Sequence, residues 1–329
     1  MRHPRTLALA AAAVVALISP LAVSSGAAAS EPEAERLVRG LQGGSGSTIG
    51  PDGALYVTES AAGKVTRIDP RTGDRSTYAR NLPALLPAIG IGGAMDVAFH
   101  GDTAYVLVTL VGADVGGSDI AGLYRIDGKN RWTVVADIGQ WSMDHPPATD
   151  FFVPTGVYYA MEAFRGGFLV SDGHHNRVLW VSRDGDITEV RAFDNIVPTG
   201  LEVDDGRIYL AQAGPVPHDA ADGKVVSFRL SSSSVRDVAS GAPLLVDVER
   251  GSGGTLYALA QGEFGGGPEG SPAAPDTGSL VRADGQDLEV VVDGLDRPTS
   301  LEVKGDTAWV VTLDGEVWTI HGLRSHHDD

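Results

Sequence analysis

The chain contains no cysteine, which excludes disulfides, iron-sulfur clusters, thiolate zinc sites and a cysteine nucleophile. Aromatic residues make up only 6% of it, and 25 Lys and Arg face 43 Asp and Glu, a formal net charge of -18. A surface of that sign repels the phosphate backbone of nucleic acid and the anionic face of a membrane, so neither is an expected partner. The sequence has no HExxH, no G-x-S-x-G and no P-loop. Gly90-Ile91-Gly92-Gly93-Ala94 lacks the following helix that a dinucleotide fingerprint needs.

What is present is a folded chain: 43% hydrophobic residues, 43 Gly and 18 Pro in 329 positions, without a collagen triplet. Arg2 and Arg5 precede an apolar run from Leu7 to Val23, broken by Pro20, which ends in the small residues Ala27-Ala28-Ala29. That three-part pattern predicts a secretory signal peptide over 1–29 and a secreted product with no membrane insertion after cleavage. No other stretch is long and apolar enough to span a bilayer. The expected organisation is therefore the signal peptide 1–29, a short linker 30–35, one domain 36–322 and a His/Asp-rich flexible tail 323–329.

Internal repetition decides the fold class. Pro154-Thr155-Gly156-Val157 returns as Pro198-Thr199-Gly200-Leu201 and as Pro298-Thr299-Ser300-Leu301. Short turns lead into alternating strands centred on Tyr56, Tyr105, Leu169, Tyr209, Tyr257 and Trp309, and a third strand follows each. A fourth strand is readable in every unit except the last, where Arg36 to Leu41 supplies it from the other end of the chain. The period-two runs are bounded by Gly, Asp and Pro, and no 3.6-residue apolar stripe competes with them. The reading is all-β: a six-bladed β-propeller of four-stranded antiparallel blades, its ring closed by the N-terminal strand joining the last blade.

Loop lengths separate the two faces. Turns such as Pro51-Asp52-Gly53 and Arg183-Asp184-Gly185 are tight, whereas the alternate connections hold insertions at 79–93, 110–121, 139–155, 213–223 and 261–277. Insertions gathered on one face mark it as the binding face. Counting back from the aromatic of each second strand puts Ser47, Asp96, Gly156, Gly200, Asp247 and Ser300 at the entry of the innermost strands, with Asp96 and Asp247 facing across the channel. The second strands exit at Glu59, Val108, Asp172, Gln212, Ala260 and Thr312. Glu59, Asp96, Asp172 and Asp247 together suit a hard divalent cation, Ca²⁺ or Mg²⁺, in the central channel, the alternative being a water-filled polar lining. The segment Ser171-Asp172-Gly173-His174-His175-Asn176-Arg177 is the densest polar cluster; one of His174 and His175 is a candidate general base oriented by Asp172. Ligand contacts are expected from Glu59, Asp96, Asp172, His174, Asn176, Gln212 and Asp247.

Five segments carry a resemblance over nearly the whole domain: Pro51 to Val57, Trp132 to Asp137, Pro154 to Val157, Ser171 to Val178 and Pro198 to Leu201. In these the chain resembles the secreted propellers of the ScyD/ScyE family, related to NHL-repeat, SMP-30/gluconolactonase-like and streptogramin-lyase-like propellers. The resemblance implies an extracellular six-bladed propeller. For the SMP-30-like lactonases it implies a metal held by Glu, Asn and Asp, with the Glu in an early E-G-P segment, where this chain reads Gly43-Gly44-Ser45-Gly46-Ser47-Thr48. Two functions follow: a monomeric propeller that binds a small molecule, glycan or extracellular protein on its long-loop face, or a divalent-metal-dependent hydrolase, lactonase or lyase.

Overall fold

Strand-forming sequences separated by Gly and Asp turns assemble into antiparallel sheets in the computed structural model, which describes residues 32–217, 222–267 and 270–323. The expected signal peptide, and the tail from 324 onward, lie outside the described residues. One sheet holds β2 (Gly44–Ile49), β3 (Leu55–Glu59), β4 (Lys64–Ile68) and β5 (Arg75–Ala79), preceded in the chain by β1 (Glu33–Val38). The next holds β6 (Gly93–His100), β7 (Thr103–Thr109), β8 (Gly122–Gly128) and β9 (Arg131–Asp137). A third comprises β10 (Tyr158–Phe164), β11 (Gly167–Asp172), β12 (Arg177–Ser182) and β13 (Ile187–Ala192).

An eight-stranded sheet follows, in the order β14 (Pro198–Asp204), β15 (Arg207–Gln212), β16 (Lys224–Phe228), β17 (Val235–Ser240), β21 (Asp287–Leu295), β20 (Gly278–Asp284), β19 (Leu256–Ala260), β18 (Leu245–Arg250). Its two four-strand runs are antiparallel within themselves and meet at one parallel bridge, Ser240 with Asp287. The last sheet is β22 (Pro298–Lys304), β23 (Thr307–Thr312), β24 (Val317–His321) and then β1, which pairs antiparallel with β24 from Glu33 opposite His321 to Val38 opposite Val317. The two ends of the domain are thus joined in one sheet, which hides a sheet edge that either would otherwise expose.

The first strands pack in a circle: β2 on β6, β6 on β10, β10 on β14, β14 on β18, β18 on β22, and β22 back on β2. Between neighbouring sheets lies the core. Tyr56, for example, meets Tyr78 and Phe99 edge-on at centroid separations of 4.9 and 4.8 Å. Its ring fills the space beside Gly50, where a Cβ would stand 2.3 Å from the ring. Each of the six first strands pairs with its second strand through a β-bulge at the same level, between Gly44 and Ser47, Ala94 and Asp96, Tyr158 and Met161, Pro198 and Leu201, Leu245 and Asp247, and Pro298 and Ser300. A bulge kinks the strand and re-aims the side chains beside it.

Three local expectations are corrected. β1 starts at Glu33, inside the segment read as linker, and ends at Val38. A seven-residue helix, α1 (Ile138–Asp144), begins the insertion after β9, its N-terminus capped by Asp137 Oδ1 accepting from Gln140 N at 2.8 Å. It is too short for a 3.6-residue stripe to stand out. Finally, Pro154 to Val157 is not a strand entry: it turns within the connection, with Gly156 N donating to Val153 O, and Tyr158-Tyr159-Ala160-Met161 occupies the equivalent place.

Candidate functional site

The first strands turn alternate side chains toward the axis of the circle. Pairing fixes two levels. At the bulge stand Gly46, Asp96, Ala160, Gly200, Asp247 and Ser300, so Gly46 and Ala160 replace the expected Ser47 and Gly156. Two residues on, roughly 7 Å deeper, stand Thr48, Ala98, Glu162, Glu202, Glu249 and Glu302, each opposite the aromatic or leucine of its second strand. The resulting cavity is lined by Ser47, Asp96, Tyr159, Glu162, Asp247, Glu249, Ser300 and Glu302 among others, with no Lys, Arg or His among its described lining. Its volume is about 30 Å³, and one water needs roughly 10 to 15 Å³, so it admits two or three waters or an ion and not a drug-sized molecule.

The two aspartates are built in alike. Asp96 accepts Val97 N at 2.8 Å through Oδ1 and Met161 N at 2.7 Å through Oδ2, which ties β6 to β10. Asp247 accepts Val248 N at 2.9 Å and Leu301 N at 2.8 Å, tying β18 to β22. The strand on the other side gives way in both cases. A Cβ on Gly46 would stand 2.0 Å from Asp96 Oδ1, and one on Gly200 would stand 2.2 Å from Asp247 Oδ1. Glycine, aspartate and a backbone donor therefore repeat twice around the circle. Between the repeats, Ser47 and Ser300 share a hydroxyl contact of 2.9 Å.

Burial raises these carboxyl groups. Desolvation pushes Asp96 up to about 8 against its two backbone donors, with Asp247 adding like-charge repulsion. Asp247 rises to about 7 for the same first reason, and Glu202 to about 7 through burial and its acidic neighbours. Glu162, Glu249 and Glu302 are held well above the ordinary carboxylate range by burial and by one another. The raised values favour the protonated form, in which a carboxyl group donates a hydrogen bond as well as accepting one. Tyr159, whose hydroxyl donates to Thr299 O at 3.0 Å, is likewise pushed up by burial and by Asp247 and Asp96.

The structure brings Asp96 and Asp247 into one cavity and leaves Glu59 and Asp172 out of it. Pairing does set Glu59, Asp172 and Gln212 at one common level, opposite Gly44, Tyr158 and Pro198, but second-strand side chains are turned between the sheets. Glu59 is buried there, accepting from Gln42 N at 2.7 Å and from the Thr66 hydroxyl, with Lys64 Nζ at 3.1 Å. The four carboxylates expected to share a cation are thus divided among three places, and no group of three or more His, Asp or Glu suited to a metal occurs among the described residues. Gln212 is buried with its Oε1 unpaired.

Asp172 anchors a separate buried network. Its Oδ1 accepts Val157 N at 3.0 Å and His175 N at 3.2 Å, and its Oδ2 faces His175 Nδ1 at 3.1 Å and Arg177 Nε at 3.4 Å. Burial works to raise this carboxyl, but His175, Arg177 and the Val157 N–H outweigh it and hold the group below its usual range. Arg177, itself buried, also donates to Ser142 Oγ at 2.9 Å and His145 O at 2.8 Å and lies over the Trp141 ring. His175 Nε2 donates to Val153 O at 3.0 Å. His174 Nε2 accepts two backbone donors, Phe152 N at 2.8 Å and Val153 N at 3.0 Å, and burial together with His175 pushes its pKa down. Asn176 accepts from Ile196 N and Val197 N, both at 2.9 Å. These residues fasten the insertion that carries Phe151 and Phe152.

The channel glutamates escaped the sequence reading, although Leu201-Glu202-Val203 and Leu301-Glu302-Val303 place them two residues beyond Gly200 and Ser300, on the same face by strand periodicity.

No protein-family model and no curated protein matches the chain. Solved structures do. A gluconolactonase from Xanthomonas campestris superimposes with a TM-score of 0.59 at 11% identity, covering 88% of this chain and 89% of that one. The fold is a β-propeller. An aldose sugar dehydrogenase from Streptomyces coelicolor, in a PQQ-bound form, gives 0.59 at 13% identity over 88% and 98% of the two chains. A virginiamycin B lyase from Staphylococcus aureus gives 0.54 at 13% identity over 88% and 99%. The propeller's four-stranded antiparallel blades therefore belong to an architecture shared by gluconolactonases and lyases.

Proposed function

We propose that this chain is a secreted six-bladed propeller of the ScyD/ScyE kind that works by binding a small molecule, glycan or extracellular protein on its long-loop face. Counting the two four-strand runs of the eight-stranded sheet separately, as their single bridge invites, supports a count of six. The signal-peptide pattern of residues 1–29 supports export.

The observation that carries the binding reading is where apolar surface is left open. Among the described residues, the large hydrophobic side chains left exposed are Ile89, Ile120, Met143, Phe151, Phe152, Val235 and Val290. The first five all sit on the insertions after β5, β7 and β9, at one end of the propeller. Those insertions brace one another. Leu86 lies against Gly117, Thr155 Oγ1 donates to Asp114 Oδ2 at 2.8 Å, and His174 holds the backbone of Phe152 and Val153. A braced apolar surface loses little freedom on binding. In this reading His174, His175, Asn176 and Asp172 shape the face, and Gln212 sits at its level. A thermal-shift screen of oligosaccharides, lactones and peptides should find a stabilising ligand whose effect disappears when 110–121 is shortened to a tight turn. A ligand effect indifferent to that change would reject the reading.

A second reading has one observation in its favour. Asp96 and Asp247 share a cavity of ion size, and neighbours of this fold include a gluconolactonase. A divalent-metal-dependent hydrolase, lactonase or lyase would use these two, rather than the wider set with Glu59 and Asp172, to hold Ca²⁺ or Mg²⁺. One equivalent of ion in the purified protein, with melting lowered by EDTA, would favour this reading over binding alone.

A further inference from the structure

The insertions separate charge as sharply as they expose apolar surface. No Lys or Arg occurs from Asn81 to Tyr124, from Trp132 to Phe164, from Ile208 to Gly223 or from Gly251 to Val281. These stretches contain every long insertion beyond Arg80. At the opposite end, the short turns carry Arg71, Lys129, Arg165, Arg183 and Arg229. The insertions beyond Arg80 thus carry no cation of their own, and Lys64, Arg177, Lys224 and Arg297, which stand at strand ends on that side, are paired with Glu59, Asp172, Asp237 and Asp296, while the braced loops between β7 and β10 present exposed Asp119, Asp144 and Asp150 beside exposed Met143, Phe151 and Phe152. Phe152 is 66% exposed, although its ring packs edge-on to His174 at 4.3 Å. Side-chain and backbone bonds hold the ring in place with half or more of its surface open, and Asp119, Asp144 and Asp150 form no ion pair among the described residues.

Anions bordering an apolar surface discriminate by sign. They leave neutral apolar ligands unaided, repel acidic ones and attract a partner whose own apolar side chains are flanked by Lys or Arg. We infer that the long-loop face over the first three sheets docks a basic amphipathic peptide segment of a partner protein. Its apolar side chains rest on Met143, Phe151 and Phe152, and its cations reach Asp119, Asp144 and Asp150. This rests on the binding reading above and specifies the partner's chemistry. Charge speeds the encounter and makes it salt-sensitive; the aromatic contacts give residence.

The test uses the purified full chain and three synthetic helical peptides: one amphipathic with Lys and Leu, one of equal charge with Ser for Leu, and one with Glu for Lys. Fluorescence anisotropy should show binding of the Lys/Leu peptide that weakens at least tenfold between about 50 and 500 mM salt, and no binding of the other two. Phe151→Ser/Phe152→Ser and Asp119→Asn/Asp144→Asn/Asp150→Asn should each lower the affinity tenfold or more. Asp102→Asn/Asp184→Asn, in short turns at the other end, should leave it unchanged. Equal binding of the Lys/Ser peptide would overturn the inference, because charge alone would then suffice. So would Lys/Leu binding that ignores the loop substitutions. If a neutral sugar binds through Phe151 and Phe152 while the cationic peptide does not, the partner chemistry fails and the binding face stands; if neither ligand responds to those residues, both fail.

Discussion

Asp96 receives the backbone N–H of Met161 at 2.7 Å and so fastens β6 to its neighbour β10, while Gly46 of β2 leaves it the space to do so. The Asp247 arrangement, with Leu301 and Gly200, repeats it. Each carboxylate is wedged between a strand that lacks a side chain and a strand that offers a donor.

The wedge predicts coupled costs. Gly46→Ala sets a methyl group into Asp96 and should destabilise by about 1 to 3 kcal/mol, and Asp96→Ala should cost about 1 to 3 kcal/mol by orphaning buried N–H groups. The double variant should cost less than the sum, since removing the carboxylate makes room for the methyl. Urea titrations of the four proteins measure this; strict additivity would mean that the two residues do not meet.

Stability should fall as pH rises through neutrality. The folded-state values of Asp96, about 8, and of Asp247 and Glu202, about 7, lie above those of an unfolded chain. The folded protein therefore retains protons that the unfolded one has lost, and their stabilising effect is fully present below the ordinary carboxylate range and lost as pH passes 7 to 8. Asp172 acts in the opposite sense, since its lowered value gives stability above the ordinary range that is lost in acid. Melting temperature should decline between pH 6 and 9, and Asp96→Asn with Glu202→Gln should flatten the decline. A rise over that interval would contradict the electrostatics of the channel.

Removal of Arg177 should be among the most damaging single changes. Arg177→Met leaves Asp172 buried without its guanidinium and frees Ser142 and the carbonyl of His145. About 3 to 5 kcal/mol is expected, together with increased protease cutting between His145 and Val153, which the network holds. Urea unfolding and limited proteolysis check both; a loss below 1 kcal/mol would show the network to be dispensable.

Much of this was legible beforehand. Alternation around Tyr105, Tyr209 and Trp309 located the second strands, and Glu59, Asp172 and Gln212 share the expected exit level because the second strands pair with the third without a bulge. The entry level agreed at Asp96, Gly200, Asp247 and Ser300; Gly46 stands where Ser47 was expected because the β2–β3 connection is one residue longer than those of β6–β7 and β14–β15, and Ala160 stands where Gly156 was expected because the Pro-Thr-Gly phrase falls in a loop there. The phrase Pro154 to Val157 misled for a different reason. The same four-residue pattern begins strand β14 at Pro198 but lies in a loop at Pro154, four residues before the equivalent strand position. That Asp172, His174 and His175 brace a loop was also beyond sequence, since their partners are backbone groups of Val153, Phe152 and Val157.

The most direct measurement compares two double variants, Phe151→Ser/Phe152→Ser and Asp96→Asn/Asp247→Asn, by the thermal shift that a bound ligand gives the unmodified protein. Binding at the loop face predicts that the aromatic pair abolishes the shift and the channel pair preserves it. A shift that survives the first change and disappears with the second would place the site in the channel and contradict the account.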